Sequence, residues 1–276
     1  MGRTLRVFTL NCWGVGAPLE ERMAVIQQGI ATLRPDIAAF QEVIVRADGF
    51  DQGSLLLGSA DYFRVFGAAF GWNDDGAMVS PDHGGGGFGN LLASRWAIAR
   101  SEVRRLPGRE GDEPRAMLGA LIETPDGLLP VLTTHLDWEF DHGYVRERQV
   151  IAVDEFARDL ARTADLPPVL MGDFNAHPDS TEMRYLRGLA SLEGRSTYYQ
   201  DAWEIGRPRE AGCTWDNRNR FAAYAHEPDR RIDYVLVGQP DARGRGVVAA
   251  AQLIFEEPVG DVFASDHFGV LAEIRI

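Results

Sequence analysis

The chain has 276 residues, of which 45% are hydrophobic and 25% are charged, as in an ordinary water-soluble globular protein. Its formal net charge is −13, and a surface this acidic disfavours, without excluding, an extended nucleic acid as partner. The sequence has no run of about 18 apolar residues and no apolar leader behind its N-terminus. We therefore expect no transmembrane segment, no signal peptide and a cytoplasmic location.

The domain organisation and the cysteine content follow from equally simple features. No internal repeat, linker or shift in composition divides the chain, so residues 1–276 are expected to form one domain. The two cysteines, Cys12 and Cys213, are too few for a disulfide framework, and each has apolar or aromatic neighbours. They are expected to be buried free thiols in a reducing compartment.

The chain begins with a predicted strand, helix and second strand. Apolar and polar residues alternate over 5–10, which predicts a strand that leads into Asn11. Pro18 then opens a helix whose apolar residues recur at three- and four-residue spacings. Residues 36–40 form the next predicted strand, which leads into Glu42. A βα unit of this kind brings the two polar residues to one edge of a sheet.

The middle of the chain is predicted to consist of strands and loops. The strand that follows a turn at 124–127 leads into His135. The glycines at 84–87 lack the Lys and Ser/Thr of a phosphate-binding P-loop, so a flexible hinge is favoured there. Strands are predicted at 62–66, 90–94, 117–123 and 129–134, and irregular loops, in which substrate choice would lie, at 43–58, 73–87 and 104–114.

The last part of the chain contains the segment around which we expect the site to be organised. A helix over 144–160 is followed by a short buried strand over 169–171, and Asp173 and Asn175 come at the end of this strand. In an extended segment, residues two apart point to the same side. Taken alone, these two residues also fit an Asx-type turn. A short helix after Pro178 and strands over 231–237 and 269–276 complete the prediction.

Polar residues repeatedly follow or border these apolar strands. Burying a carboxylate or an imidazole there is costly unless the group is paired or bound to a metal. One such residue carries little weight, but a series of them on separate strands predicts a shared site. The series consists of Asn11, Glu42, His135, Asp173 with Asn175, Asp233, and Asp266 with His267.

Part of this series matches what a metal ion and a phosphate group require. A hard divalent cation such as Mg2+, or Mn2+ in its place, binds oxygen ligands, which Glu42 and Asn11 could supply. An anionic phosphate requires hydrogen-bond donors, and His135, His267 and Asn175 could provide them. The sequence therefore predicts phosphoester hydrolysis.

The other residues of the series suit the activation of water. Asp173 and the dipeptide of Asp266 and His267 are candidates for the base or for the acceptor that orients the attacking water. Asp233 is the natural partner to hold the ring of His267 in one tautomer. The plain alternatives are a solvated strand end for Glu42, a hydrogen-bonded core histidine for His135, and an ion pair of Asp233 with Arg230 or Arg231.

At these same residues the chain resembles the endonuclease/exonuclease/phosphatase family. The resemblance implies a four-layered α/β/β/α sandwich with two packed mixed β-sheets, and Mg2+-dependent cleavage of phosphoester bonds. Six motifs carry it, in the order that the family has them and over nearly the whole chain: Leu10-Asn11-Cys12-Trp13, Gln41-Glu42, Thr134-His135-Leu136, Gly172-Asp173-Phe174-Asn175, Arg231-Ile232-Asp233-Tyr234 and Ser265-Asp266-His267.

The resemblance also implies a role for each residue. Glu42 would be the principal metal ligand, and Asn11 and Asn175 would contact the metal or the phosphate. Asp173 would orient the nucleophilic water. The remaining three roles fall to the C-terminal motifs, with Asp266 binding metal or supporting the base, and His267 paired with Asp233 as base or phosphate ligand.

Two positions favour one branch of the family. Trp13 stands where the apurinic-site nucleases usually carry an acidic residue, and His135 stands where they tend to have Tyr. The stretch from Asn11 to Gly14 is similar to the neutral sphingomyelinases. We therefore expect a phosphodiesterase for a small or lipid-derived substrate, with a nuclease as the alternative and a non-catalytic phosphate-binding module as the third hypothesis. Substrate contacts are predicted at Trp138, Tyr144 and Arg146, which border His135.

Overall fold

The computed structural model describes residues 3–72, 78–79 and 86–276. Of the predicted hinge at 84–87, residues 84 and 85 lie outside this part of the chain, and Gly87 begins a strand. The described residues form thirteen strands and six helices. The strands are β1 Thr4–Asn11, β2 Ile37–Val45, β3 Phe63–Trp72, β4 Met78–Val79, β5 Gly87–Ser94, β6 Ile98–Arg105, β7 Ala116–Thr124, β8 Gly127–His135, β9 Val169–Asp173, β10 Tyr199–Asp201, β11 Asp233–Gly238, β12 Val247–Ile254 and β13 Gly269–Arg275. The helices are α1 Leu19–Leu33, α2 Gln52–Leu57, α3 Gly143–Ala161, α4 Thr181–Leu186, α5 Ala202–Gly206 and α6 Arg220–Ala223.

The strands form two mixed sheets. One has the order β12-β13-β1-β2-β5-β3-β4 and the other has the order β10-β11-β9-β8-β7-β6. Each sheet contains one parallel pair, β1 with β2 and β8 with β9. A parallel pair needs a crossover connection, which α1 provides in the first sheet and α3 in the second. The predicted succession of strand, helix and strand is thereby confirmed in both halves of the chain.

Three apolar clusters show how the layers pack. The first contains Val7 of one sheet and Met171 of the other, so it fills the space between the sheets. The second packs Phe156 of α3 on the outer face of the second sheet. The third packs Ile26 of α1, with Phe8 and other residues, on the outer face of the first sheet. The order of layers is therefore helix, sheet, sheet, helix, and the predicted four-layered α/β/β/α sandwich is confirmed.

Several elements differ from the prediction. The segment 43–58, expected to be irregular, contains the end of β2 and all of α2. The charged segment before β7 contains β6, an edge strand whose side chains are mostly exposed or half-buried. Charged residues are common on edge strands because they oppose pairing with other chains, and they hide the apolar alternation that predicts a strand. Strand β12 is a second edge strand that the sequence pattern did not predict.

Candidate active site

The predicted site residues lie where the space between the two sheets opens at one end of the sandwich. Along β9, Val169 and Met171 fill the core between the sheets. Asp173 is the next residue in this alternation, so its side chain lies on the same face of the strand. The row of core side chains thus ends in a carboxylate.

The pairing of strands brings further residues to Asp173. His135, the last residue of β8, is paired with Asp173 in the parallel register, and Asp233, the first residue of β11, is paired with it on the other side. In the first sheet, Asn11 ends β1 on the same face as Val7, which lies in the core between the sheets. Because the sheets pack face to face, Asn11 lies next to Asp173, although 162 positions separate them in the chain.

Glu42 reaches the cleft through an irregularity in β2. Regular alternation would place it on the face opposite to Ile37 and Ala39, which pack between the sheets. The register between β2 and β5 shifts between Phe40 and Val43, and Glu42 has a φ angle of 60°. A bulge of this kind changes the direction of a side chain. Backbone conformations that non-glycine residues rarely adopt cluster at functional sites, and Glu42 fits this pattern.

Asn11 connects the carboxylates of the two sheets. Its Nδ2 donates hydrogen bonds to Glu42 Oε1 and to Asp173 Oδ2, each at 3.0 Å, and its Oδ1 accepts from the backbone N–H of Trp13 at 3.0 Å. Carboxylates only accept hydrogen bonds, so this orientation of the amide satisfies all its neighbours. The structure places Asn11 as a bridge between two acidic groups, with its oxygen already hydrogen-bonded.

The turn that was the alternative interpretation of Asp173 and Asn175 is also present. Asp173 Oδ1 accepts the backbone N–H of Asn175 at 2.9 Å, which is the hydrogen bond of an Asx turn. Asn175 has a φ angle of 48°, and its Nδ2 donates to the carbonyl of Leu136 at 3.2 Å. The turn fixes Oδ1 of Asp173 and leaves Oδ2 towards the other polar side chains, so turn and site are the same feature.

His135 is a neutral imidazole whose Nε2 donates. Its Nδ1 lies 2.9 Å from Nη1 of Arg115. A guanidinium can only donate, so Nδ1 must accept and the ring proton must be on Nε2. Burial and the charge of Arg115 hold the pKa of His135 well below its ordinary value. Nε2 lies 3.5 Å from Asp173 Oδ2.

His267, unlike His135, carries a positive charge. Its Nδ1 lies 2.9 Å from Asp233 Oδ2, and its Nε2 lies 3.8 Å from Asp173 Oδ2. Burial alone would lower the pKa of His267, but the carboxylates of Asp233, Asp173 and Asp266 outweigh burial and raise this pKa to about 10. His267 is therefore an imidazolium at neutral pH. Two imidazole N–H groups, one neutral and one cationic, thus point towards one carboxylate oxygen.

Asp233 does not form the ion pair with Arg230 or Arg231 that was the plain alternative for it. Arg231 bonds Asp201 through two contacts of 2.8 and 3.0 Å, and Arg230 pairs with Glu227. Asp233 is fully buried, and its second oxygen, Oδ1, has no hydrogen-bond partner among the described residues. Its other oxygen, Oδ2, accepts the hydrogen bond from Nδ1 of His267 instead.

The donor set fits a divalent cation. Glu42, Asp173 and Asp266 all line the cleft. Burial raises the pKa of Glu42, and burial together with neighbouring carboxylates raises the pKa of Asp173 and of Asp266 to about 6. Buried carboxylates that destabilise one another in this way gain from a nearby positive charge.

The cleft itself has a volume of about 370 Å³. Sequence analysis missed several of its lining residues. The sequence carried no signal for Arg115, because its place beside His135 follows from the pairing of β7 with β8, in which Met117 lies opposite Thr134. The cleft residues that were not predicted are Phe88, Glu113, Arg115, Trp215, Glu227, Arg230 and Ile232.

The three predicted substrate contacts occupy different environments. Trp138 lines the cleft and is 48% exposed. Tyr144 is half-exposed but lines a separate depression beside Glu193. Arg146 is buried, and its guanidinium bonds Glu182 and the backbone. Of the three, only Trp138 lines the cleft, whereas hydrogen bonds to Glu182 and to the backbone hold Arg146 below the surface.

The fold and the site define a class of protein, the hydrolases of phosphoester bonds that depend on a divalent metal. A sequence model of the endonuclease/exonuclease/phosphatase family matches residues 8–267. The chain belongs to this family. A search among curated protein sequences finds no match. Among the described residues, no helix combines the length and the apolar content that crossing a bilayer requires.

Solved structures agree with this assignment over almost the entire chain. An endonuclease/exonuclease/phosphatase from Beutenbergia cavernae DSM 12333 is 25% identical, with a TM-score of 0.71 over 99% of this chain and 72% of that chain. Truncated Caenorhabditis elegans TDP2 is 18% identical, with a TM-score of 0.74 over 99% and 98%. The human Nocturnin catalytic domain with bound sulfate anion is 20% identical, with a TM-score of 0.71 over 98% and 93%.

Proposed function

We propose that this protein hydrolyses a phosphodiester bond by in-line attack of an activated water, with Mg2+ bound in the cleft. The observation that carries the proposal is the environment of Asp173 Oδ2. This oxygen has Asn11 Nδ2 at 3.0 Å, His135 Nε2 at 3.5 Å and His267 Nε2 at 3.8 Å. The hydrogens of Asn11 Nδ2 are used by Glu42 and Asp173, but the two imidazole N–H groups suit the oxygens of a phosphate. An acceptor for a water proton therefore lies beside donors for a phosphate.

The acidic side of the cleft would hold the cation. Glu42 would be the principal ligand, with Asp266 as a second carboxylate and Asn11 fixing the orientation of Glu42. Carboxylates at a water-accessible cleft suit Mg2+, and Mn2+ binds similar ligands. When bound, the ion would neutralise charge on the phosphate and on the leaving oxygen.

Asp173 would act as the base. His267 carries a positive charge and pairs with Asp233 through Nδ1, so it would donate to the phosphate rather than take a proton. His135 would donate through the N–H of Nε2, and Asn175 through the amide hydrogen that does not bond Leu136. These donors match the charge that develops on the phosphoryl oxygens during displacement.

The cleft favours a small or lipid-derived substrate with one phosphate. Its two arginines are already paired, Arg115 with Glu113 at 2.9 Å and Arg230 with Glu227. Little unpaired positive charge therefore remains at the cleft rim for further phosphates, and the net charge of −13 adds to their repulsion. Trp13, which belongs to the stretch that resembles the neutral sphingomyelinases, lines the cleft.

The assay is hydrolysis of bis(4-nitrophenyl) phosphate with Mg2+. We expect activity that EDTA abolishes and that Asp173→Asn and His267→Gln lower by about 10²–10⁴-fold, the usual range for a lost acid–base group. Asp154→Asn is the matched control, because Asp154 is also a buried, hydrogen-bonded aspartate but serves Tyr185 and Tyr199. Full activity in both active-site variants would refute the assignment.

A nuclease is the second candidate. It is favoured by the likeness to Danio rerio TDP2 complexed with single strand DNA product, which is 17% identical with a TM-score of 0.73. The same protein samples should therefore be tested on plasmid and single-stranded DNA at several salt concentrations. Nicking that weakens steeply with salt would select the nuclease, whereas tight phosphate binding without turnover on any substrate would select the non-catalytic module.

A further inference from the structure

Two loops border the cleft next to Arg115 and His135. The first, residues 106–115, connects β6 to β7, and Arg115 is its last residue. The second, residues 136–142, connects β8 to α3 and follows His135 directly. The pairing of β7 with β8 brings the backbones of Arg115 and His135 together. What the two loops can set is how the side chains meet, with Arg115 Nη1 on His135 Nδ1.

Gln149 of α3 bonds both loops at once. Its Oε1 accepts the backbone N–H of Asp137 at 2.9 Å, and its Nε2 donates to the carbonyl of Pro107 at 2.9 Å. Gln149 is 1% exposed, so its amide has no solvent to replace a lost partner. A buried amide that satisfies two backbone groups in different loops ties those loops to the helix.

Arg146 and His142 reinforce the same connection. Arg146 Nη1 donates to the carbonyls of Asp137 at 3.1 Å and Glu139 at 2.6 Å. His142 Nδ1 donates to Asp137 Oδ1 at 3.0 Å, and its Nε2 lies 2.7 Å from Nη1 of Arg109 in the first loop. We call Gln149, Arg146 and His142 the loop clamp.

A metal ion is not needed to explain this cluster. Asp112, Asp137 and His142 do bring ligand atoms within 4.8 Å of one another. The guanidinium of Arg109, however, bonds His142 and lies 3.8 Å from Asp112. It already supplies the positive charge that a cation would bring, and repulsion between the two would oppose metal binding.

We propose that the loop clamp, and Gln149 in particular, positions Arg115 on Nδ1 of His135 and so fixes the tautomer in which Nε2 of His135 carries the proton. Gln149 is a positioning residue, since it is buried and acts through the two loops. The consequence for catalysis rests on the proposed function, in which that N–H donates to the substrate phosphate. The consequence for the tautomer does not.

Nitrogen-15 NMR of the histidine rings is the measurement that is independent of activity. In the wild type, His135 should show the tautomer with a protonated Nε2, assigned by its disappearance in His135→Gln. In Gln149→Leu, which removes both hydrogen bonds at similar volume, His135 should show a mixture of tautomers. Asp154→Asn, a buried change elsewhere on α3, should leave the tautomer unchanged.

Kinetics then test whether this positioning matters for turnover. Gln149→Leu should lower kcat/KM for bis(4-nitrophenyl) phosphate by about 10- to 100-fold, the cost of misplacing groups at a reaction centre. Because the clamp acts through Arg115, the double variant with Arg115→Gln should lose little more than Arg115→Gln alone. By contrast, the effect of Asp154→Asn on kcat/KM should be the same with and without Arg115→Gln.

The outcomes separate the two proposals. An unchanged His135 tautomer in folded Gln149→Leu, or additive losses in the double variant, would overturn the role of the clamp and leave the proposed hydrolysis standing. A changed tautomer together with a wild type that hydrolyses no phosphoester would support the clamp and refute the hydrolysis. If Gln149→Leu fails to fold, His142→Gln, which loosens the link to Arg109, must show the same change of tautomer, and an unchanged tautomer there overturns the proposal.

Discussion

The two histidines of the site show that the partner of a residue decides its chemistry. Arg115 holds His135 neutral, and Asp233 holds His267 cationic, although both rings point Nε2 at the same oxygen of Asp173. Sequence analysis found both histidines because each adjoins a predicted strand. It left the role of His267 open between base and phosphate ligand, because the identity of its neighbours depends on contacts between distant segments.

The raised carboxyl pKa values lead to a prediction about pH and metal. The pKa of Asp173 and of Asp266 is about 6 in the folded protein, above the ordinary value of 3.8. A folded-state pKa above the unfolded one means that these groups favour folding at low pH and lose this contribution as pH rises through about 6. A bound cation opposes the loss, because it stabilises the ionised carboxylates.

Thermal unfolding with and without Mg2+ measures this effect. We expect Mg2+ to raise the Tm more at about pH 7.5 than at about pH 5, where protons compete for the same oxygens. Sodium chloride at equal ionic strength is the control for general screening. An equal shift at both pH values would mean that the raised carboxyl pKa values do not reflect the metal site.

At the scale of elements, strand alternation explains most of the site and one bulge explains the rest. Asn11, His135, Asp173 and Asp233 lie on the faces of their strands that fill the core between the sheets, and this much follows from sequence periodicity. Glu42 is an exception, since only the bulge in β2 turns it to the cleft. Gln41, the residue before Glu42, keeps the regular direction of the strand. Its side chain forms polar contacts between the two sheets.

These polar contacts predict a measurable contribution to stability. Gln41 Nε2 donates to Thr9 Oγ1 at 3.0 Å and to Thr133 Oγ1 at 2.9 Å, and all three residues are fully buried. Gln41→Leu should lower the free energy of unfolding by about 1–3 kcal/mol in urea titrations, because two hydroxyl groups lose a buried partner. The triple variant with Thr9→Val and Thr133→Val should recover part of this loss. If it is less stable than the single variant, unsatisfied hydroxyl groups are not the cause.

The limits of sequence analysis also lie at this scale. The positions of Arg115 and Gln149 depend on which strands pair and on how loops fold over a helix end, and a pattern of apolar residues does not encode either. Arg146 is the converse case, a residue that was predicted to lie in the site but does not. It lies close to His135 in the chain and was therefore predicted to contact substrate, but α3 turns it inwards to Glu182.

At the scale of the whole molecule, the sandwich holds ionisable groups from both sheets at the open end of one core. The acidic side chains that face this end come from β2, from β9 and from the loop before β13, which are far apart in sequence. The fold tolerates their mutual repulsion because Asn11, the imidazolium of His267 and, in our proposal, a divalent cation compensate it. The central claim is therefore that Glu42 and its neighbours bind that cation.

Titration with Mn2+, followed by electron paramagnetic resonance of the free ion, tests this claim most directly. We predict that Glu42→Gln raises the Kd for Mn2+ by at least about tenfold, as for loss of a ligand or its support. Asp112→Asn, in the cluster that Arg109 already neutralises, should leave the Kd unchanged. Unaltered Mn2+ binding in Glu42→Gln, or loss of binding in Asp112→Asn, would contradict the account.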